Sequence, residues 1–215
     1  MLLYRAFVTG AEIATWAGDS TSSSSWTSLA SNLKTTMNNN LWDAAAGYSL
    51  PLNAPMKKTT NITHSAYKDN DTNTNLHPED GNSMALLFGA APSSSAAQSI
   101  SQQLTTNWGP LGAISPELPG NHVPFIESFE IKAHFVAAQP TRALDLIRRS
   151  WGWYINNPLG TQSTMVEGYL PDGTFGYRAT SPGGYEGDYS FTSHSHGVSV
   201  GKNSFAILIC LIFSP

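Results

Sequence analysis

The sequence predicts an all-α fold, a partial barrel of helical hairpins with long loops and short strands gathered at one end. Three observations carry this expectation. Apolar residues recur at steps of three and four in six successive segments. The connections between those segments alternate between short and long. Leu159–Ser193 is rich in glycine and aromatic residues and reads as a long loop with short strands, such as Gly173-Thr174-Phe175-Gly176-Tyr177. A loop of that length inside a compact domain is usually functional.

Leu2 to Trp16 carries Leu3, Phe7, Val8, Ile13 and Trp16 on a helical period, and Gly18-Asp19-Ser20 stops it. Thr21–Ser25 reads as a polar loop supplying caps for a second helix, whose face is Trp26, Leu29, Leu33, Met37 and Leu41. From Ala46-Gly47-Tyr48 to about Asn75 the expectation is irregular chain. His77-Pro78-Glu79-Asp80 reads as a helix start, with Pro in the first turn and carboxylates facing the dipole; that helix ends at Gly89. Ser93–Ser95 cap the next helix, which runs to about Trp108. Gly109–Pro124 holds too many breakers to be regular. Phe125–Ala138 is a strongly apolar helix with Glu127 and Glu130 inside it. Pro140 opens the last, with a stripe of Ala143, Leu144, Ile147, Trp151 and Tyr154.

The composition narrows the function classes. The chain has 215 residues, enough for one sizeable core, and a net charge of −4 with no basic footprint for nucleic acid. The apolar run Phe205–Phe213 is far short of the roughly 20 residues a membrane span needs. Cys210 is alone, so neither an internal disulfide nor a cysteine-based zinc site can form. No signal peptide opens the chain, yet Asn61-Ile62-Thr63 and Asn70-Asp71-Thr72 are glycosylation acceptor patterns that lean towards secretion.

Among residues that can do chemistry, Glu167 stands out. It follows the β-prone run Ser163-Thr164-Met165-Val166 and is flanked by Gly168 and Tyr169 in an aromatic loop. Glycosidases use two carboxyl groups, one protonated and one ionised, beside flat apolar faces for sugar rings. Trp151, Trp153, Tyr169 and Tyr177 offer such faces; Trp151 continues the core stripe, which leaves Trp153 as the better stacking candidate. Glu79 and Asp80 read as dipole-neutralising residues at a helix start. Glu127 and Glu130 lie three apart on one face of an apolar helix, where burial is costly unless they are paired or line a polar cavity. A cavity-lining Glu127 is the reading favoured here, against an ion pair with Arg148 or Arg149. His194-Ser195-His196 is a His-x-His pair whose spacing also occurs in metal sites, but no acidic or cysteine ligand lies beside it.

Several blocks together resemble the catalytic domain of the α-L-rhamnosidases, six-hairpin glycosidases of the fungal type. They are Leu76–Ala85 (LHPEDGNSMA), Glu117–Asn121 leading into Pro124–Glu130, Arg142–Tyr154, Glu167–Tyr169 through Gly176-Tyr177-Arg178, and Ser193-His194-Ser195-His196-Gly197. The resemblance covers Leu2 to Gly197. It implies a partial (α/α)6 barrel over residues 1–197 and hydrolysis of terminal α-L-rhamnose with inversion of configuration. The carboxylate in the place of Glu167 would be the general base, drawing a proton from the attacking water. Trp153, Glu127, His194, His196 and Tyr169 would contact the substrate, the histidines by hydrogen bonds to sugar hydroxyls and not to a metal. No cofactor and no metal is implied. The expected partner is a rhamnose-containing glycoside, with neither nucleic acid nor membrane, and the full-length family proteins are secreted.

Two departures qualify the resemblance. The family's general acid lies in an acidic, Gly- and Trp-containing block that Met1–Ser25 does not contain, and the chain reads as truncated at both ends. After Gly197 the family continues Trp-Ser-x-Gly-Pro-Thr into a last barrel helix, whereas Val198-Ser199-Val200-Gly201-Lys202 leads to an apolar tail over 198–215. Two rivals therefore stay open: a non-catalytic carbohydrate-binding remnant and a helical interaction domain.

Overall fold

The computed structural model describes residues 1–46, 64–69, 75–157, 166–174 and 177. The described residues are mostly helical and follow the order α1 (Leu2–Trp16), α2 (Ser20–Asn40), β1 (Trp42–Ala46), β2 (His64–Tyr67), α3 (Glu79–Leu87), α4 (Ser94–Leu104), β3 (Trp108–Gly109), β4 (Gly112–Ala113), α5 (Pro124–Val136) and α6 (Pro140–Asn156). A 3-10 turn, Thr105–Asn107, joins α4 to β3. Successive helices pack in pairs, α1 on α2, α3 on α4 and α5 on α6, and α3 also packs on α5.

Helix α2 begins earlier than its serine run suggested. Asp19 caps it by accepting the Ser22 N–H at 2.9 Å, so Thr21–Ser25 is helical and not a loop. Its hydroxyls return to carbonyls one turn back, as in Thr27 to Ser23 (2.8 Å) and Ser28 to Ser24 (3.0 Å), which supplies the competing side chains with partners inside the helix. Gly10 allows the α1–α2 contact: a Cβ there would stand 2.5 Å from the Trp26 ring.

The stretch expected to be irregular instead contributes β2, which pairs antiparallel with β1 just before it, in register Trp42 to Tyr67. Tyr67 anchors it. Its phenol donates to the Ala90 carbonyl at 2.8 Å and to Asn38, while Asn82 bonds both backbone groups of Tyr67 at 2.8 and 3.0 Å. The connection after α4, expected to lack regular structure, holds the small β3–β4 hairpin, with Trp108 opposite Ala113.

At α3, Pro78 caps the helix from outside instead of occupying its first turn. Ser93 caps α4, accepting from the Ala96 N–H at 3.1 Å. Pro124 opens α5, where its missing N–H costs no helical bond. Ala138 ends α5 in the left-handed region (φ 56°), with the Gln139 N–H reaching the His134 carbonyl at 2.8 Å.

The larger core joins α1–α5 through Tyr4, Met37, Leu86, Ile100, Leu104 and Ala133. A second cluster, Ala113, Ile131, Ala143 and Leu146, fastens β4 between α5 and α6. Val166 and Tyr169 pack with Leu111 and Trp153, which seats the segment 166–174 on the β3–β4 hairpin and α6. Among the described residues no helix is long and apolar enough to cross a membrane.

Candidate functional site

Three glutamates meet in the interior between α3, α5 and the loop that precedes α5. Glu79, Glu127 and Glu130 are each at most 1% exposed. Each has one oxygen bonded and the other, Glu79 Oε1, Glu127 Oε2 and Glu130 Oε2, sealed from solvent without a hydrogen-bond partner among the described residues. Burying a carboxylate as an anion is costly, so burial favours the protonated form of Glu79 and Glu127.

Glu79 opens α3 but does not serve as its dipole partner. That place belongs to Glu117, whose carboxylate accepts the Glu79 and Asp80 N–H groups at 2.9 and 3.0 Å. The Glu79 side chain turns inward and accepts from Ser115 Oγ at 2.5 Å. Burial, and then the charges of Glu130, Glu117 and Glu127, hold its carboxyl well above the ordinary range. Burial also raises Glu117, against the pull of the two N–H groups it accepts.

Glu127 stands in the first turn of α5, where its Oε1 accepts the Ala113 N–H at 2.8 Å. Burial pushes its carboxyl up to about 8, with the Ala113 and Ser150 hydrogen bonds pulling the other way. The approach depends on Gly112, held at φ 127°: a Cβ there would sit 2.2 Å from Glu127 Oε1. Beside it, His122 donates Nδ1–H to the Ala113 carbonyl at 2.6 Å, which makes Nε2 a bare acceptor, buried and without a partner among the described residues. Burial lowers His122 to about 4. The 3.9 Å approach of His122 to Glu127 is therefore a contact of two neutral groups at neutral pH, not an ion pair.

Glu130 ends a buried chain of hydrogen bonds. Its Oε1 accepts from the Trp108 indole at 2.6 Å and from His134 Nε2 at 3.1 Å. His134 Nδ1 meets Ser101 Oγ at 2.8 Å, and Ser101 in turn accepts from Arg142 at 2.9 Å. Because Nε2–H is spent on Glu130, Nδ1 accepts and the Ser101 hydroxyl donates. The ion pair weighed for Glu127 and Glu130 with Arg148 or Arg149 does not form; Arg149 bonds Asp145 at 3.0 Å and lies over the Trp108 ring.

Of the residues singled out in the sequence, Trp153 and Tyr169 are brought together, with stacked rings 4.0 Å apart. Tyr169 also stacks on His122 at 4.6 Å, and two rings at such distances occupy opposite faces of the phenol. Both faces of Tyr169 are thus covered, and its hydroxyl donates to the Leu111 carbonyl at 2.7 Å. Burial, then the Glu127 and Glu79 charges, keep that phenol protonated well above its usual range. Glu167 is half-buried in the same segment, and among the described residues it forms no hydrogen bond or ion pair. His194 and His196 lie outside the described residues.

The buried groups were only partly visible beforehand. Glu130 and His134 are four apart on one helix, a spacing that marks them as neighbours. His122 and Ser115 sit in aperiodic chain, where no local pattern points inward. Among the described residues no group of three or more His, Cys, Asp or Glu side chains is arranged to hold a metal ion. No family model matches the chain, and no curated protein matches it.

Proposed function

We propose that the chain is part of a glycoside hydrolase domain of the inverting α-L-rhamnosidase type, a partial (α/α)6 barrel in which Glu167 is the general base. The observation that carries this reading is convergence. The blocks that resemble the family are separated in sequence, yet Glu79, Glu117, Glu127, Glu130, Trp153 and Tyr169, drawn from four of them, surround one interior polar cluster. Three packed helical hairpins with the loops around Glu117 and Glu167 meeting beside α5 are what half of a six-hairpin barrel requires.

In this reading the protonated carboxyls of Glu79 and Glu127 and the neutral imidazole of His122 form a rigid support under the site. Glu167, half-buried and two residues from Tyr169, is the group that takes a proton from water. The general acid comes from outside the matched blocks. The test is hydrolysis of an aryl α-L-rhamnoside followed by NMR of the first-formed sugar. Release of the β-anomer, lost in Glu167→Gln, supports the reading; the α-anomer, or turnover unaffected by the substitution, contradicts it.

A further inference from the structure

A cavity of about 490 Å³ opens where the 3-10 turn after α4, the β4–α5 loop and the segment 166–174 meet. Its size falls within the roughly 300–1,000 Å³ of small-molecule sites. Leu76, Trp108, Ile114, Pro116, Pro119 and Pro171 supply its apolar surface. Pro171 comes from the same segment as Glu167.

The polar side chains at its wall are mostly spent on the protein. Ser115 Oγ donates to Glu79 at 2.5 Å, and His77 Nε2 is 3.1 Å from Asp43. The Thr106 hydroxyl donates to the Gln103 carbonyl at 2.7 Å while receiving Gln103 Nε2 at 3.3 Å. None of the described lining residues is Asp, Glu, Lys or Arg. What the cavity shows a ligand is therefore chiefly hydrocarbon and ring, with the Asn107 amide and Gln103 Oε1, which has no partner among the described residues, as its few polar groups. A sugar, with a hydroxyl on nearly every carbon, would find few partners here, and a charged group none of opposite sign.

Trp108 is the largest ring at the wall and is held rigidly. The chain from Arg142 through Ser101, His134 and Glu130 ends on its indole N–H, and His134 meets its ring edge-on at 5.4 Å. A platform fixed before the ligand arrives loses little entropy on binding.

We infer that this cavity binds an uncharged planar ring, the aglycone side of a glycoside whose sugar is cleaved at Glu167. The aglycone assignment rests on the proposed function; the ring site itself stands on the cavity alone. The ring lies between Trp108 and the prolines, and Asn107 bonds a ring substituent.

The probe is 4-methylumbelliferone at mildly acidic pH, where it is uncharged, titrated calorimetrically into the whole chain. Wild type binds one equivalent, and Asn107→Phe, which fills the cavity from its rim, weakens binding by about tenfold or more with an unchanged melting temperature. Ile114→Phe, at the neighbouring position whose N–H donates to the Asn107 carbonyl at 3.0 Å, does the same. Methyl α-L-rhamnopyranoside binds both variants as it binds wild type. Absence of probe binding to wild type, or equal binding by all three proteins, overturns the inference. Loss of rhamnoside binding in the filled variants also overturns it, since the cavity would then be the sugar pocket. Glu167→Gln separates the two readings: it retains the probe, and if the wild-type chain binds the probe but cleaves no rhamnoside, the hydrolytic reading falls while the ring site stands.

Discussion

His122 and Tyr169 are joined by backbone and by side chain. The His122 N–H donates to the Tyr169 carbonyl at 2.8 Å, the Tyr169 N–H returns to the His122 carbonyl at 3.2 Å, and their rings stack 4.6 Å apart. This bridge fastens the segment bearing Glu167 to the loop that enters α5. The position of the proposed base is therefore set by the same residues that close the buried carboxyl cluster.

Gly168 lies at the tightest point of that bridge. A Cβ there would stand 2.1 Å from the Tyr177 ring and 2.8 Å from the His122 carbonyl oxygen. The ring can move but the backbone carbonyl cannot move cheaply. Gly168→Ala is expected to destabilise the chain by about 1–3 kcal/mol and to displace Glu167. Chemical denaturation measures the first effect; an unchanged midpoint would remove the bridge from this account.

Glu127 makes stability depend on pH in a definite direction. Its folded-state pKa of about 8 lies above the ordinary 4.5, so its contribution is complete below about 4.5 and is lost as pH rises through about 8. Glu79 acts in the same direction. His122 acts oppositely: lowered to about 4 from 6.5, it contributes above 6.5, and that contribution is lost as pH falls towards 4. Glu127→Gln should remove much of the loss between 4.5 and 8, gaining on the order of a few kcal/mol relative to wild type at the upper end. Denaturation midpoints across this range check it; parallel profiles for the two proteins would show that Glu127 is ionised in the fold.

Ala138 offers a local test of the α5 terminus. It is exposed and holds φ 56°, a conformation that a Cβ disfavours and glycine adopts freely. Ala138→Gly should raise stability by up to about 1 kcal/mol, offset in part by the freer unfolded chain. Thermal melting measures it, and a lowered midpoint would contradict the cap geometry.

What was legible in the sequence follows from range. Helices α1, α3, α4, α5 and α6 announce themselves by apolar period, capping Ser or opening Pro, all of which act within a few residues. The start of α2 was hidden because Ser and Thr are poor helix formers until an Asp19 cap and hydroxyl-to-carbonyl bonds accommodate them. Strands β1 and β2 are separated by a long connection, and β2 is held to β1 opposite Trp42 and to α3 by the Asn82 bonds to Tyr67, which no local pattern reveals. The site divides in the same way. The pairing of Glu130 with His134 is local, but Glu79 with Ser115 spans 36 positions, and its inward turn depends on Glu117 occupying the helix start instead. Glu79 thus read as a dipole-neutralising residue, whereas burial disfavours its charge as it does that of Glu127.

The central claim, that Glu167 is the base of a rhamnosidase-type site, is most directly tested with a substrate that needs no acid. In 2,4-dinitrophenyl α-L-rhamnopyranoside the leaving group departs as a stable anion, so a base and a bound sugar suffice. The account predicts that this chain releases dinitrophenolate while methyl α-L-rhamnopyranoside stays intact, and that Glu167→Gln lowers the rate by about 10²–10⁴-fold. Release at the same rate by wild type and Glu167→Gln, or no release above the uncatalysed rate by a folded wild-type chain, would contradict it.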